Sequence, residues 1–248
     1  MQRIFSDVPI PDENIIVTGA DAHHLARVLR MRAGDEIVIS DPSGRDHVCE
    51  LTAVSGDCVT AKKKETRENL AEPSYRVTLY QGMPKGEKTD VIVQKSVELG
   101  VGKVVFVVTE RSVSRPDSSS LKKKTERLNR ISESAAAQCG RSSVPEVHSE
   151  QDLASAIDAA ASADVSLFCY EGGGEPINKI LSSVPENVRN KKGFTVAVLI
   201  GPEGGFSEKE VLLAKNKGLT FCSFGSRILR TETAGSHVLS CISYEFEL

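Results

Sequence analysis

Along the first seventy residues, apolar and polar positions alternate in short runs: IIVTG, EIVISDPSG, HVCELTAVSG and CVTAKKKE. Gly, Asp, Pro or Ser breaks each run, which predicts strands joined by turns. One stretch departs from this rhythm. In DAHHLARVLRMRAGD, Leu25, Val28 and Leu29 share one helical face, and Gly34 stands where a helix would stop. Several short strands with one helix predict a small barrel. KKKETRENLAEPS is polar, contains Pro73, and reads as a linker.

After Tyr75 the period changes. YRVTLYQG predicts a strand, EKTDVIVQKSVELG a helix closed by Gly100, and KVVFVVTERS a strand whose unbroken apolar run suits cover on both faces. RPDSSSLKKK reads as a loop leading into a basic helix start. The long helix SLKKKTERLNRISESAAAQCG then closes at Gly140. Cations are disfavoured at a helix N-terminus, so those lysines are either a solvated face or a contact for a polyanion. Helix DLASAIDAAASA, strand DVSLFCYE, turn and strand NKKGFTVAVLI, helix SEKEVLLAKNKG, strand TFCSFG and a closing helix RTETAGSHVLSCISYEFEL complete the pattern. This alternation predicts an α/β domain with a mainly parallel sheet. The domains divide as 1–72 and 73–248.

Composition narrows the class. The 248 residues suffice for one or two domains, and 40% hydrophobic with 26% charged is ordinary for a globular protein. No apolar run is long enough to cross a bilayer, and MQRIFSDVPIPDENI lacks the order of a secretory signal. A cytoplasmic protein is expected. The six cysteines form no C-x-x-C pair and the five histidines show no zinc spacing, so reduced thiols and no metal are expected. A net charge of −3 argues against indiscriminate polyanion binding without excluding nucleic acid.

Three loops at predicted strand ends carry candidate chemistry. In LIGPEGGFSEKE, Gly201 and Pro202 end the strand, Gly204 and Gly205 permit close backbone approach, and Ser207 with Glu210 forms a capping box. Such a loop lies where open α/β sheets bind ligands. It matches neither the P-loop nor the dinucleotide fingerprint, and Glu203 would repel a phosphate. A neutral or cationic ligand fits better, such as an adenosine group carrying a sulfonium; a tight turn with no ligand is the alternative. FGSRILRTETAG supplies Arg227 and Arg230 around the apolar pair Ile228 and Leu229, then Thr231, Glu232 and Thr233, which can cap the last helix. LFCYEGGGE, with Tyr170 and Glu171, is a third wall.

Together these stretches resemble the RsmE family of ribosomal RNA methyltransferases, of the SPOUT class. LIGPEGGFSEKE and FGSRILRTETA carry the likeness, supported by KGEKTDVIVQKSVELGV, TERSVSR, AAAQCGRSSVPEV and HHLARVLRMRAGDEIVISD. The resemblance implies a small N-terminal PUA-like β-barrel and a C-terminal SPOUT α/β domain with a deep trefoil knot. It implies a homodimer that methylates uracil N3 in 16S ribosomal RNA of the small subunit, with S-adenosylmethionine as donor. The cofactor contacts it implies are Tyr170, Glu171, Leu199, Ile200, Gly201, Gly204, Gly205, Phe224, Gly225, Ile228, Leu229 and Thr231. Leu199, Ile228 and Leu229 are expected to pack on adenine.

For the chemistry, uracil N3 is a weak nucleophile while protonated, so a base and a cation are both useful. Arg230 is the candidate to stabilise the uracil anion. Glu232 is the first candidate proton acceptor and Glu203 the second; a helix-start carboxylate and a structural salt bridge are the plainer roles for Glu232 and Arg230. RNA contacts are expected from Arg3, His24, Arg27 and Arg30 in the first region, and from Lys85, Lys88, Arg111, Arg115 and Arg141 in the second. Two rivals stand: a SPOUT enzyme acting on a ribose 2′-hydroxyl, and an RNA-binding assembly protein without turnover.

Overall fold

A computed structural model describes residues 1–11, 14–150 and 152–248. It resolves into two compact units, Met1–Glu72 with Ala136–Val144, and Pro73–Ala135 with Pro145–Leu248.

The first unit is built on strands β1 (Gln2–Phe5), β2 (Asn14–Thr18), β3 (Glu36–Ser40), β4 (Arg45–Val54) and β5 (Cys58–Glu68). They form one mixed sheet in the order β1-β3-β4-β5-β2, with β1 parallel to β3 and the other pairs antiparallel. Inward residues such as Ile37, Ile39, Cys49, Leu51, Val59 and Ala61 make its core. β5 runs on to Glu68, so KKKETRE is strand rather than linker: Lys62, Lys63 and Glu65 to Glu68 pair with β4, a register shift between Val48 and Cys49 leaving Lys64 out. β1 was not foreseen, being a four-residue strand without clear alternation.

Helix α1 (Gly19–His23) continues as one wide turn, His24–Val28. Leu25 is fully buried, but Val28 and Leu29 are 60% and 41% exposed, so the expected apolar face does not form. The wider turn rotates later side chains away from a 3.6-residue stripe. Arg30 then takes a positive φ of 55°, which ends the helical path well before Gly34.

The second unit holds a seven-stranded sheet whose every pairing is parallel. Its strands are β6 (Arg76–Gly82), β7 (Lys103–Val107), β8 (Glu146–Glu150), β9 (Val165–Cys169), β10 (Glu175–Pro176), β11 (Thr195–Ile200) and β12 (Thr220–Ser223), in the order β10-β12-β9-β11-β6-β7-β8. The helices are α2 (Lys88–Glu98), α3 (Ser118–Cys139), α4 (Leu153–Ala161), α5 (Ile177–Ser182), α6 (Glu186–Arg189), α7 (Glu208–Asn216) and α8 (Thr231–Glu247). The sequence foresaw neither β8 and β10 nor α5 and α6; all are short. The serines before the lysine run are helical, not loop. Asp117 accepts hydrogen bonds from the N–H groups of Ser119 and Ser120 and so starts α3 at Ser118.

β11, the central strand, is apolar on both faces, as its six-residue run TVAVLI requires. Ala197 and Leu199 face a cluster with Phe168, Phe206, Ile157 and Ala214 beneath α4 and α7. Residues of the opposite parity look toward α8, which packs on β11 and on α2. Because β11 is inserted between β9 and β6, the connections leave it and β6 in opposite directions. That reversal opens a crevice at the carboxyl ends of the strands.

Candidate functional site

The crevice is a cavity of about 920 Å³. Three loops wall it. Tyr170 and Glu171 follow β9; Gly201, Glu203, Gly204 and Gly205 follow β11 with Ile200; Phe224, Gly225, Ile228, Leu229, Arg230 and Thr231 follow β12. The sequence placed these residues around one ligand, and folding brings them together. Leu199 is the exception. It is 1% exposed and turned into the α4/α7 cluster, because neighbouring residues of a strand face opposite ways. It cannot pack on a ligand in this cavity, and Ile200 takes the position facing it.

The glycine turn is held from several sides. Phe206, just after it, is 2% exposed and stacks 4.3 Å from Phe168. Ser207 and Glu210 form the reciprocal capping box expected at the start of α7, and Glu210 also accepts the Glu110 N–H at 2.7 Å. Gly205 has φ +65°, a left-handed conformation that favours glycine. Arg111 donates to the Gly204 carbonyl at 3.1 Å.

Opposite, Arg230 precedes α8 and its carbonyl accepts from Thr233 and Ala234 N–H groups. The hydroxyl of Thr231 does not cap the helix, as the sequence suggested. It donates to the Gly201 carbonyl at 2.7 Å and accepts from Gln81 Nε2 at 2.7 Å. Gln81, at the carboxyl end of β6, is fully buried and also donates to the Gly82 carbonyl. A Gln81–Thr231–Gly201 chain thereby joins β6, the glycine turn and the start of α8. Sequence reasoning missed Gln81; its one signal was a polar residue inside the apolar run YRVTLYQG. It also missed Gly82, where a Cβ would lie 2.5 Å from Pro202 N.

On the cavity wall, Lys88 Nζ stands 2.9 Å from Glu203 Oε1 and 3.2 Å from Glu232 Oε2. Lys88, expected as an RNA contact, is therefore a residue of the site. Its hydrogen bond to Glu203 leads the effects that hold its ammonium above the usual lysine value. Burial works to raise the Glu203 carboxyl, but hydrogen bonds from Lys88 and from backbone N–H groups outweigh it and hold the group below its ordinary value. Glu232 differs. Its Oε2 is buried 3.2 Å from Lys88, and Glu232 is not among the residues that line the cavity. Also lining the cavity, Cys169 and Cys222 sit opposite each other on β9 and β12 with sulfurs 3.2 Å apart. Burial pushes the Cys169 thiol well up, which keeps it protonated.

Among the expected RNA contacts, Arg3 and Arg141 are not free surface cations. Arg3 makes a buried ion pair with Asp46 and bonds Ser40, while Arg141 is 4% exposed and paired with Glu72 at 2.8 Å. Both are fixed by carboxylates that the sequence could not place beside them. Arg115 donates to the carbonyls of Thr109, Glu110 and Ser112. His24, Arg27, Arg30 and Lys85 are exposed, and Arg27 lines a concavity of about 390 Å³ in the first unit. Among the described residues no group of three or more His, Cys, Asp or Glu could hold a metal, and no helix is long and apolar enough to cross a membrane.

Comparison with known proteins agrees with this architecture. An RNA methyltransferase domain family matches residues 71–243, and an RNA methyltransferase PUA domain family matches residues 17–64. The ribosomal RNA small subunit methyltransferase E of Bacillus subtilis (strain 168) is 38% identical over 241 residues, covering 94% of this chain and 90% of that protein. A putative methyltransferase from Legionella pneumophila, solved in complex with the cofactor SAM, has a TM-score of 0.85 at 28% identity, over 98% of this chain and 96% of that one. The ribosomal RNA small subunit methyltransferase E of Neisseria gonorrhoeae, bound to S-adenosyl methionine, has a TM-score of 0.83 at 26% identity, over 98% and 97%. Fold and matches define the class: an RNA methyltransferase domain joined to a PUA domain. Within that class, the chain belongs to the ribosomal RNA small subunit methyltransferase E family, the RsmE family whose motifs it carries.

Proposed function

We propose that this protein transfers a methyl group from S-adenosylmethionine to N3 of a uracil in 16S ribosomal RNA of the small subunit. In this reading residues 1–72 are an RNA-binding barrel and residues 73–248 a knotted SPOUT domain. The protein works as a homodimer in the cytoplasm, where ribosomal subunits are assembled. The observation that carries the reading is the three-loop cavity at the ends of β9, β11 and β12. Its volume lies within the roughly 300–1,000 Å³ of small-molecule sites.

The lining suits the donor. Backbone groups of the Gly201–Gly205 turn are available to an adenosine, and Ile228, 88% exposed, offers an uncovered apolar face at the rim. The cavity wall carries the carboxylates Glu171 and Glu203, the latter paired with Lys88, and such carboxylates suit a cationic sulfonium. When bound, S-adenosylmethionine supplies an electrophilic methyl group. The protein must then unstack the uracil, hold it in line and remove the N3 proton. Glu232, in the first turn of α8 and 3.2 Å from Lys88, is the proton acceptor in this scheme, with Glu203 on the cavity wall the second candidate. Arg230, exposed at the cavity, stabilises negative charge on the uracil carbonyls.

The test is methyl transfer to small subunits isolated from cells lacking the protein, followed by nucleoside mass spectrometry. The expected product is N3-methyluridine. A 2′-O-methyl nucleoside, or no donor binding by calorimetry, would replace this reading with one of its rivals.

A further inference from the structure

The loop between β7 and α3, which carries TERSVSR, is closed on itself. Thr109 and Ser112 are buried; the Thr109 N–H donates to the Ser112 hydroxyl at 3.0 Å, and the Ser112 N–H donates to the Thr109 carbonyl at 3.1 Å. Arg115 donates to the Thr109, Glu110 and Ser112 carbonyls. The loop so built is docked on the glycine turn by two contacts. The Glu110 N–H reaches Glu210, the acid of the α7 capping box, at 2.7 Å, and Arg111 Nη1 donates to the Gly204 carbonyl at 3.1 Å. The Cβ and the carbonyl oxygen of Arg111 also stand 3.1 and 3.2 Å from where a Gly204 Cβ would be. Arg111, expected from the sequence to contact RNA, thus rests on the turn with both backbone and side chain.

Gly204 and Gly205 line the cavity. The peptide group between them is restrained by no Cβ on either side. Rotating it would exchange its N–H and C=O groups, which point opposite ways in a trans peptide. Two bonds oppose that rotation. The Gly205 N–H donates to the Pro202 carbonyl at 2.9 Å, and Arg111 holds the Gly204 carbonyl at the other end.

We propose that Arg111 is a positioning residue of the donor site: it fixes the Gly204–Gly205 peptide group and so sets this part of the wall in one conformation before the methyl donor arrives. The role rests on the donor-binding reading above and adds to it a residue from outside the pocket. Arg111 is not among the residues that line the cavity, so it acts through the turn rather than on the ligand. A wall ordered in advance removes an ordering cost from binding. Without Arg111 the two-glycine peptide gains other orientations, and apparent donor affinity falls by the fraction that remains competent. Once donor is saturating, binding has already selected that orientation, so the chemical step is unaffected. Thr231 still holds the turn at Gly201, so only this peptide is released.

The experiment compares the wild type with Arg111→Ala and Arg111→Lys. Calorimetry with S-adenosylmethionine reads donor affinity, single-turnover methyl transfer at saturating donor reads chemistry, and thermal melting reads folding. Binding of each protein to small subunits is measured in parallel. Arg111→Ala is expected to raise the donor Kd about tenfold, as when the competent orientation falls to a tenth of the population. The single-turnover rate should stay within about threefold, a change of under ~1 kcal/mol. The melting temperature should move by less than about 2 °C, because the side chain is exposed. Arg111→Lys keeps a donor for the Gly204 carbonyl and should recover most of the affinity. Unchanged donor affinity with weaker subunit binding would make Arg111 an RNA contact and overturn the proposal. Lysine as weak as alanine would overturn it too, as would a loss of donor affinity that follows a falling melting temperature in both variants. Wild type that binds no donor would sink the function reading, and this role with it. Wild type that binds donor but forms no N3-methyluridine would sink only the choice of acceptor, and the Arg111 comparison would still decide this role.

Discussion

Replacing Thr231 with valine isolates the link between the glycine turn and the last helix. Valine keeps nearly the same shape, so little packing is lost, but the hydroxyl disappears from a site only 6% exposed. Two partners are then stranded. The Gly201 carbonyl loses the donor it meets at 2.7 Å, and Gln81 Nε2 loses the acceptor it meets at 2.7 Å. A buried polar group left without a partner costs about 1–3 kcal/mol. Gln81 Nε2 retains the Gly82 carbonyl at 3.1 Å, and Gly201 is only partly buried. Two such groups would cost about 2–6 kcal/mol, and these remaining contacts bring the sum toward the lower end, about 2–3 kcal/mol. For a protein of this size that lowers the melting temperature by roughly 4–12 °C. The turn that Thr231 holds also lines the cavity, so if half of the loss falls on its position, donor binding weakens by about tenfold. Thermal melting and calorimetry with S-adenosylmethionine read both effects, with Thr231→Ser as the control that keeps the hydroxyl. If valine behaves like wild type in both assays, or serine is as damaging as valine, the hydrogen-bonded chain does not hold the site.

Gly82→Ala puts a methyl against the backbone of Pro202, which cannot yield as a side-chain tip would. A loss of about 1–3 kcal/mol in urea unfolding is expected, as for overpacking elsewhere. Arg3→Ala and Arg27→Ala should separate structure from recognition. Breaking the buried Arg3–Asp46 pair should destabilise the first unit by roughly 3–5 kcal/mol, whereas Arg27→Ala should leave melting unchanged and reduce the salt slope of RNA binding by about 1. For Asp41, burial favours the neutral acid. Hydrogen bonds from Ser43 and His47 and from the Ser43 and Arg45 N–H groups outweigh it, lowering the group from 3.8 to about 2. A depressed folded value means that the unfolded chain binds more protons as pH falls. The stabilisation is therefore complete above about pH 4 and disappears as pH falls through about 2. Asp41→Asn should flatten that part of the melting-temperature profile; an unchanged profile would remove Asp41 from the account.

Much of this molecule was legible from local pattern, because local pattern is what selects elements. The apolar runs of β7 and β11, Gly100 and Gly140 after their helices, and the Ser207–Glu210 capping box all act over a few residues. The glycine turn and the Ile228–Leu229 pair announced a ligand loop for the same reason, since backbone freedom and apolar exposure are written in short stretches. Alternation also placed β11 correctly while leaving open which face of it meets the cavity, so Leu199 and Ile200 could not be told apart. That choice depends on the neighbours of β11 across the sheet. Charge was the least legible feature. Arg3, Lys88 and Arg141 look alike in a sequence, yet the fold pairs them with Asp46, with Glu203 and Glu232, and with Glu72. A side chain's electrostatic role is set by groups within a few ångströms, and those came from as far as 144 positions away, the separation of Lys88 from Glu232. The sequence by itself determined the strands, helices, turns and chemical vocabulary of this protein. Only the tertiary structure decided which charges meet, which polar groups are buried and left open, and which face of each strand looks into the cavity.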